Sequence, residues 1–453
     1  MVSAAERLAS NVNIGMLANA KELKSRILFV LGALIVYRIG TYIPIPGIDP
    51  LVLSQIFEQN EGGILGVFNM FSGGALGRMT IFALAVMPYI SASIIMQLLG
   101  VAIPQLAQLK KEGESGRRKI NQYTRWGTVA LAALQGYGIA VGLEGMQGPS
   151  GQSAVLHPGL FFRISTMITL TGGTMFLMWL GEQITQRGIG QGISLIIFAG
   201  IVAEFPTALA STFELGRSGA IGTPILLMIL AIALGIIALI VYMERAQRRL
   251  LVQYPKRQMG NKLMQGEATH LPLKLNTSGV IPPIFASSIL LFPLTIAGFN
   301  SEGAPEWLRA VTSYLGHGQP LYIALYVAII VFFCFFYTAV VFNAEETADN
   351  LKKNGGFIAG IRPGKHTAEY LDFVLTRITV IGAAYLAFVC VLPELMIAKY
   401  SIPFYLGGTS LLIVVNVLMD FVGQVQSHLF AHQYEGLIKK AKLKSGGGGR
   451  RRR

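Results

Sequence analysis

His428 and His432 are the residues closest in pattern to a metal site. They stand four apart and would share one helix face, as two zinc ligands do. No third ligand is evident beside them, so no metal is expected. The glycines of GIGQG (188–192) imitate a phosphate-binding loop, but the segment opens an apolar run and follows no strand, so no cofactor is expected either. Glu204, Glu394 and Asp420 fall near the ends of apolar runs rather than at their centres, which argues against a proton or ion path. There is no paired intramembrane aspartate and no Ser–His pair on neighbouring runs, so an intramembrane enzyme is disfavoured. Cys334 and Cys390 both sit inside apolar runs and read as small buried hydrophobes.

What recurs instead is branched and apolar. Val86 and Ile90 are four apart on one helix face, and Ile197 follows GIGQGIS (188–194). Ile284 follows Pro282-Pro283, and Ile413 follows Gly407-Gly408. Taken singly, each reads as a lipid-facing or packing residue, beside glycines and prolines that permit close approach or bending. Small polar residues accompany them: Ser91, Ser93, Gln135, Thr166–Thr174, Asn276-Thr277-Ser278, Ser287-Ser288 and Asn416. They read either as hydrogen-bonding glue between helices or, around Ser91 and in the third and seventh runs, as a weakly held seam.

The elements that carry these residues are membrane helices. Of 453 residues 53% are hydrophobic and only 13% charged, where a soluble chain would be about one quarter charged. Apolar runs long enough to cross occur at 27–43, 79–103, 126–143, 160–180, 188–206, 223–243, 276–298, 321–342, 378–397 and 404–425. Each must be helical, because lipid offers no partner to free backbone groups. Ten runs put both termini on one side. With that side cytoplasmic, the inside segments hold 31 of the 37 lysines and arginines and the outside segments 4, which fixes the orientation. The net charge of +14 is therefore first a topology signal.

Five runs on each side of the outside loop near 207–222 have the arithmetic of an inverted repeat, with a working site near the midplane. The pattern divides the chain into a polar N-terminal segment (1–26), an N-terminal half (27–213), a C-terminal half (214–425) and a basic tail (426–453). Residues 1–26 show no cleavage pattern and read as surface-lying or solvated. The GGGGRRRR end (446–453) reads as attracted to lipid or RNA, or as a by-product of topology. On this pattern alone a secondary transporter is the alternative, although the spans lack midplane charges for a coupling ion. One segment fits no span. Ile64–Leu76 is apolar but at helical rise reaches about 20 Å of a roughly 30 Å hydrocarbon core, then breaks at Gly73-Gly74.

FNMFSGGAL (68–76), MPYISASI (87–94), KKEGESGRRKINQYTR (110–125), WLGEQITQRGIGQGIS (179–194), FFCFFYTAVVFN (332–343), ETADNLKKNGGFIAGIRPG (346–364) and FYLGGTSLLIVV (404–415) resemble the bacterial SecY protein-conducting channel family over nearly the whole chain. The resemblance implies an all-α polytopic membrane protein: ten helices in two inverted halves around an hourglass pore, not an enzyme, in the bacterial cytoplasmic membrane. It would conduct unfolded secretory proteins across and release membrane helices sideways. The pore ring would be Val86, Ile90, Ile197, Ile284 and Ile413, with Val86 a smaller residue where the family usually has isoleucine.

The plug, a re-entrant half-helix, would comprise Ile64, Leu65, Val67, Phe68, Asn69, Met70, Phe71, Ser72, Gly73 and Gly74. The lateral gate would include Ser91, Phe292 and Ile296. Arg245, Arg248, Arg249, Lys256, Arg257, Lys262 and Arg362 would dock the ribosome and the SecA motor ATPase. Where the family commonly has paired arginines this chain has Asn261-Lys262, which weakens the case for ribosome contact at that tip. SecE- and SecG-type small subunits, signal-bearing polypeptides and anionic lipids complete the implied partners.

Overall fold

The computed structural model describes residues 21–59, 69, 72–146, 152–218, 222–254, 257–259, 262–264, 268–299, 319–400 and 408–446. Every predicted apolar run contains a helix. In chain order these are α1 (Lys21–Gly40), the short α2 (Pro50–Gln59), α3 (Met87–Ala102), α4 (Pro104–Lys111), α5 (Glu114–Gly145), α6 (Leu160–Arg187), α7 (Gly192–Arg217), α8 (Thr223–Arg245), α9 (Ile281–Phe299), α10 (Pro320–Val341), α11 (Ala344–Lys353), α12 (Lys365–Tyr400) and α13 (Gly408–Gly446). Among the described residues seven helices are long and apolar enough to cross a membrane. An eighth is added if α3 and α4, bent by 105° at Ile103, count as one broken span. The bend has a local cause, since a residue before proline is pushed out of the helical region and Ile103 is extended before Pro104.

Several boundaries differ from the sequence expectation. The run 79–103 is helical only from Met87, and residues 79–86 form successive turns in which Met79 and Ala85 adopt positive φ (44° and 46°). Pro88 explains the late start: it has no N–H to give and belongs in a first helical turn. In the same way 276–280 is a turn, and α9 begins at Ile281 just before Pro282-Pro283. Helix α7 does not stop at Pro206 but runs to Arg217. Helices α5 and α12 start well before their apolar runs. The segment from 426, read as a basic tail, continues α13 to Gly446.

Many of the small hydroxyls bond within their own helix. Thr169, Thr171, Thr174, Ser287, Ser288, Thr338 and Thr379 each donate to the carbonyl four residues back on their own helix. An apolar surround makes that nearby carbonyl the cheapest partner. Close packing joins helices as well: a Cβ on Gly408 would collide with the Val389 carbonyl, so α13 lies directly on α12.

The basic loops also hold structure. Strands β1 (Gln247–Gln253) and β4 (Ala268–Lys274) pair antiparallel, and β5 (Phe357–Ile358), from the other loop, pairs with β1. At the hairpin tip β2 (Arg257–Met259) pairs with β3 (Lys262–Met264). Leu250, Val252, Leu273 and Ile358 pack over Leu371, Val374 and Leu375 of α12, which ties both loops to the base of the C-terminal half.

Arg163, unexpected inside a span, is explained by Glu144 at the end of α5. Its guanidinium donates to Glu144 Oε2 at 2.9 and 2.7 Å, and Gly159 N–H donates to Oε1 at 2.9 Å, clamping α5 to the start of α6. Glu144→Ala strips these donors of their acceptor and should cost about 2 kcal/mol, the scale of a charged hydrogen bond. The check is a lowered melting temperature in detergent; an unchanged one would contradict the clamp.

Candidate functional site

The five branched residues come together. Val86 caps α3 and Ile90 lies in its first turns, while Ile197 comes from α7, Ile284 from α9 and Ile413 from α13. With Ala85, Met87 and Ser287 they line one cavity of about 10 Å³, at the lower edge of what admits a single water. Among the described residues of that lining Ser287 carries the one polar side chain, and its hydroxyl donates to the Pro283 carbonyl at 2.9 Å. Val86, Ile90, Ile197 and Ile413 are buried, and Ile284 is half-buried against them. This lining carries no charged group among the described residues, and an aliphatic wall of this kind disfavours water and small ions. Among the described residues no group of three or more His, Cys, Asp or Glu could hold a metal.

Of the predicted plug, Asn69 and Ser72–Gly74 are described; Ile64, Leu65, Val67, Phe68, Met70 and Phe71 lie outside the described residues. The described part is knitted to itself. Ser72 Oγ donates to the Asn69 carbonyl at 2.9 Å, and Gly77 N–H donates to Asn69 Oδ1 at 2.7 Å. It is also tied to its surroundings. Tyr37 OH donates to the Ser72 carbonyl at 3.2 Å and Arg38 Nη1 to the Gly73 carbonyl at 2.7 Å. Gly73 has φ +66°, and a Cβ there would stand 2.9 Å from Gly200 Cα of α7, so both conformation and space require glycine.

Two arginines complete this corner. Arg78 donates to the Gly74 carbonyl at 3.1 Å and lies 3.6 Å from Glu204 of α7. Arg38 and Arg78 both stand over the Tyr42 ring, at 5.1 and 4.2 Å from its centroid. In the sequence Arg38 falls inside the first apolar run and Arg78 just ahead of the second. The signal was there: an arginine inside an apolar run needs a partner.

The gate residues are placed only in part. Ser91 is half-buried on α3, and α3 packs against α9, which carries Phe292 and Ile296 in its distal half; the side chains of those two lie outside the described residues. Among the described residues no side-chain hydrogen bond joins α3 to α9.

In the loops Arg245, Arg248 and Arg249 are exposed along the end of α8 and the start of β1. Arg362 is exposed between Gly360 and Gly364, whose φ values of +84° and +102° turn the chain sharply on either side. Lys256 lies outside the described residues, and for Arg257 and Lys262 the strand backbone alone is described. Because β5 joins β1, the two loops present their arginines from one structure.

The SecY family model matches residues 80–422. The chain is 60% identical over 430 residues to the protein translocase subunit SecY of Rickettsia felis, covering 94% of this chain and 98% of that one. It is 58% identical over 427 residues to the subunit of the same name in Escherichia coli K12, covering 94% and 96%. Among solved structures, a protein-conducting channel aligns with TM-score 0.62 at 18% identity, over 89% of this chain and 92% of that one. Sec61 in the canine ribosome–channel complex of the endoplasmic reticulum aligns with TM-score 0.59, also at 18% identity, with the same coverage. By sequence match over nearly its full length, and by fold, the chain belongs to the SecY family.

Proposed function

We propose that this chain is the pore-forming subunit of a protein translocase, passing unfolded polypeptides through the bilayer and releasing apolar segments sideways. The observation that carries this reading is the meeting of five branched side chains from four helices around a space about the size of one water. An apolar ring can rearrange rotamers around any passing chain, whereas charged or hydrogen-bonding groups would hold some segments and reject others. The same lining disfavours an ion-coupled transporter, which needs coordinating groups at its centre.

In this reading the chain forms ten spans in two inverted halves in the bacterial cytoplasmic membrane, with both termini inside. Ile64–Gly74 is the plug over the ring. A solved SecY channel whose plug domain is described as stabilising the closed state, with TM-score 0.58 at 19% identity, supports that role by analogy of fold. Ser91, Phe292 and Ile296 line the seam between α3 and α9. A signal sequence with an apolar core of roughly ten residues would gain more from burial than a seam of weak contacts withholds.

Arg245, Arg248, Arg249, Lys256, Arg257, Lys262 and Arg362 form the cytoplasmic docking face for the SecA-type motor and the ribosome; canine Sec61, a fold relative, is seen in a ribosome complex. SecE- and SecG-type subunits cover the lipid-facing flanks. Exposed Lys110, Arg117, Arg118 and Lys119 at the α4–α5 corner meet anionic lipid.

Three outcomes test the reading. Ile413→Asn puts an amide into the ring and should raise resting conductance and let defective signal sequences through; wild-type stringency in an export assay would contradict the ring. Deleting Ile64–Leu76 should increase ion leak in planar bilayers, and an unaltered baseline would remove the plug. Arg362→Glu should cut motor-driven transport into reconstituted vesicles at least about tenfold, the scale of one lost charged contact, while membrane insertion of the channel itself is preserved. Full transport would refute the docking role.

A further inference from the structure

A buried polar cluster outside the ring lies at the base of α9. Glu244, at the end of α8, is 9% exposed, and its Oε1 accepts from Asn276 Nδ2 at 2.6 Å. The same Nδ2 donates to the Gly279 carbonyl at 3.1 Å, and Asn276 Oδ1 accepts from Gly279 N–H and from Ser278 Oγ, each at 3.1 Å. Ser278 Oγ then meets Cys334 Sγ of α10 at 3.2 Å. One amide thus closes the whole turn, with Asn276 3% and Ser278 2% exposed. Gly279 sits at φ +63°, the left-handed geometry that this turn requires. Leu275 N–H donates to the Ala246 carbonyl at 3.0 Å, and a Cβ on Gly382 of α12 would lie 2.9 Å from the Leu275 carbonyl oxygen. The segment is therefore held by α8, α10 and α12 together.

Backbone bonding holds this end of α9 only weakly. Pro282 and Pro283 stand in the first turn, where N–H groups are unpaired in any helix. The first backbone bond, Ile284 N–H to the Val280 carbonyl, is long at 3.4 Å. The direction in which α9 leaves the turn, and hence where Ile284 stands, depends on side chains preceding it. A fully satisfied buried network fixes one geometry, and a partly satisfied one does not.

We propose that Glu244 and Asn276 are positioning residues of the channel: they pin the base of α9 to the C-terminal half and so hold Ile284 in the ring and α9 against α3. This rests on the translocation reading above and adds to it a fixed end for the gate helix, about which opening must pivot. Neither residue touches the passing polypeptide.

The test measures resting conductance of the assembled channel in planar bilayers and export of a reporter with a defective signal sequence. Asn276→Asp sets a second carboxyl group against Glu244 and should raise both readouts about tenfold, the effect of losing one hydrogen bond to a charged group. Glu244→Gln keeps an acceptor oxygen for Asn276 and should stay near wild type, whereas Glu244→Leu should behave like Asn276→Asp. A residue that merely supported the fold would lower the melting temperature and leave both readouts alone, and that result would overturn the proposal.

Ile413→Asn is run beside them. If it leaks while Asn276→Asp is tight, the positioning role fails by itself; if it too is tight, the reading of the ring fails and takes this proposal with it. Should Asn276→Asp not accumulate, Ser278→Ala removes only the hydroxyl linking Asn276 to Cys334. Raised conductance in that variant would support the proposal, and wild-type conductance would overturn it.

Discussion

Water crosses an apolar constriction only if the gap holds a continuous hydrogen-bonded column, and a waist of about 10 Å³ walled by aliphatic side chains cannot hold one. Much of the architecture follows from the need to build that waist without ligands. The residues must be branched and apolar, so the seal is dispersive and indifferent to the sequence that displaces it. They must come from several helices, because no single helix can encircle a chain. The helices supplying them must be positioned elsewhere, since a greasy contact has no directional bond with which to position itself. Directional interactions accordingly lie away from the waist: Arg38 and Arg78 around Gly73 and Gly74 at one side, and Asn276 with Glu244 at the other.

The seam obeys the same logic in weaker form. Ser287 and Ser288 of α9 donate to carbonyls of their own helix, and among the described residues no side-chain hydrogen bond joins α3 to α9. In the proposed reading, contact of this kind is exchanged for contact with another apolar helix at little net cost, and the substrate competes with the closed state. Polar glue across α3 and α9 would have tightened the closed gate and made it less responsive to a short signal.

Every apolar run holds a helix, because the bilayer leaves backbone no alternative, while the ring positions came from the family resemblance: taken singly, those branched residues read as packing or lipid-facing. Periodicity could not say that these residues meet, since lipid-facing and pore-facing isoleucines look alike in one dimension. Helix ends were missed where apolarity and helicity part company, as at Pro88, Pro206 and the continuation of α13 past residue 426. The sheet was legible in hindsight from Leu250 and Val252, which alternate inward within QRRLLVQ, but its third strand comes from another loop and has no local signature. The Asn276 cluster was visible only as Asn-Thr-Ser ahead of two prolines; its partners Glu244 and Cys334 are brought to it by folding.

The most direct measurement places single cysteines at Ile90, Ile197, Ile284 and Ile413 and crosslinks them to a secretory polypeptide stalled in transit. A chain that passes through this waist must be trapped by all four positions, and by residues on the lipid-facing side of α8, such as Leu234, not at all. A stalled polypeptide that crosslinks to none of the four would mean that transport runs elsewhere and that the apolar waist is ordinary packing.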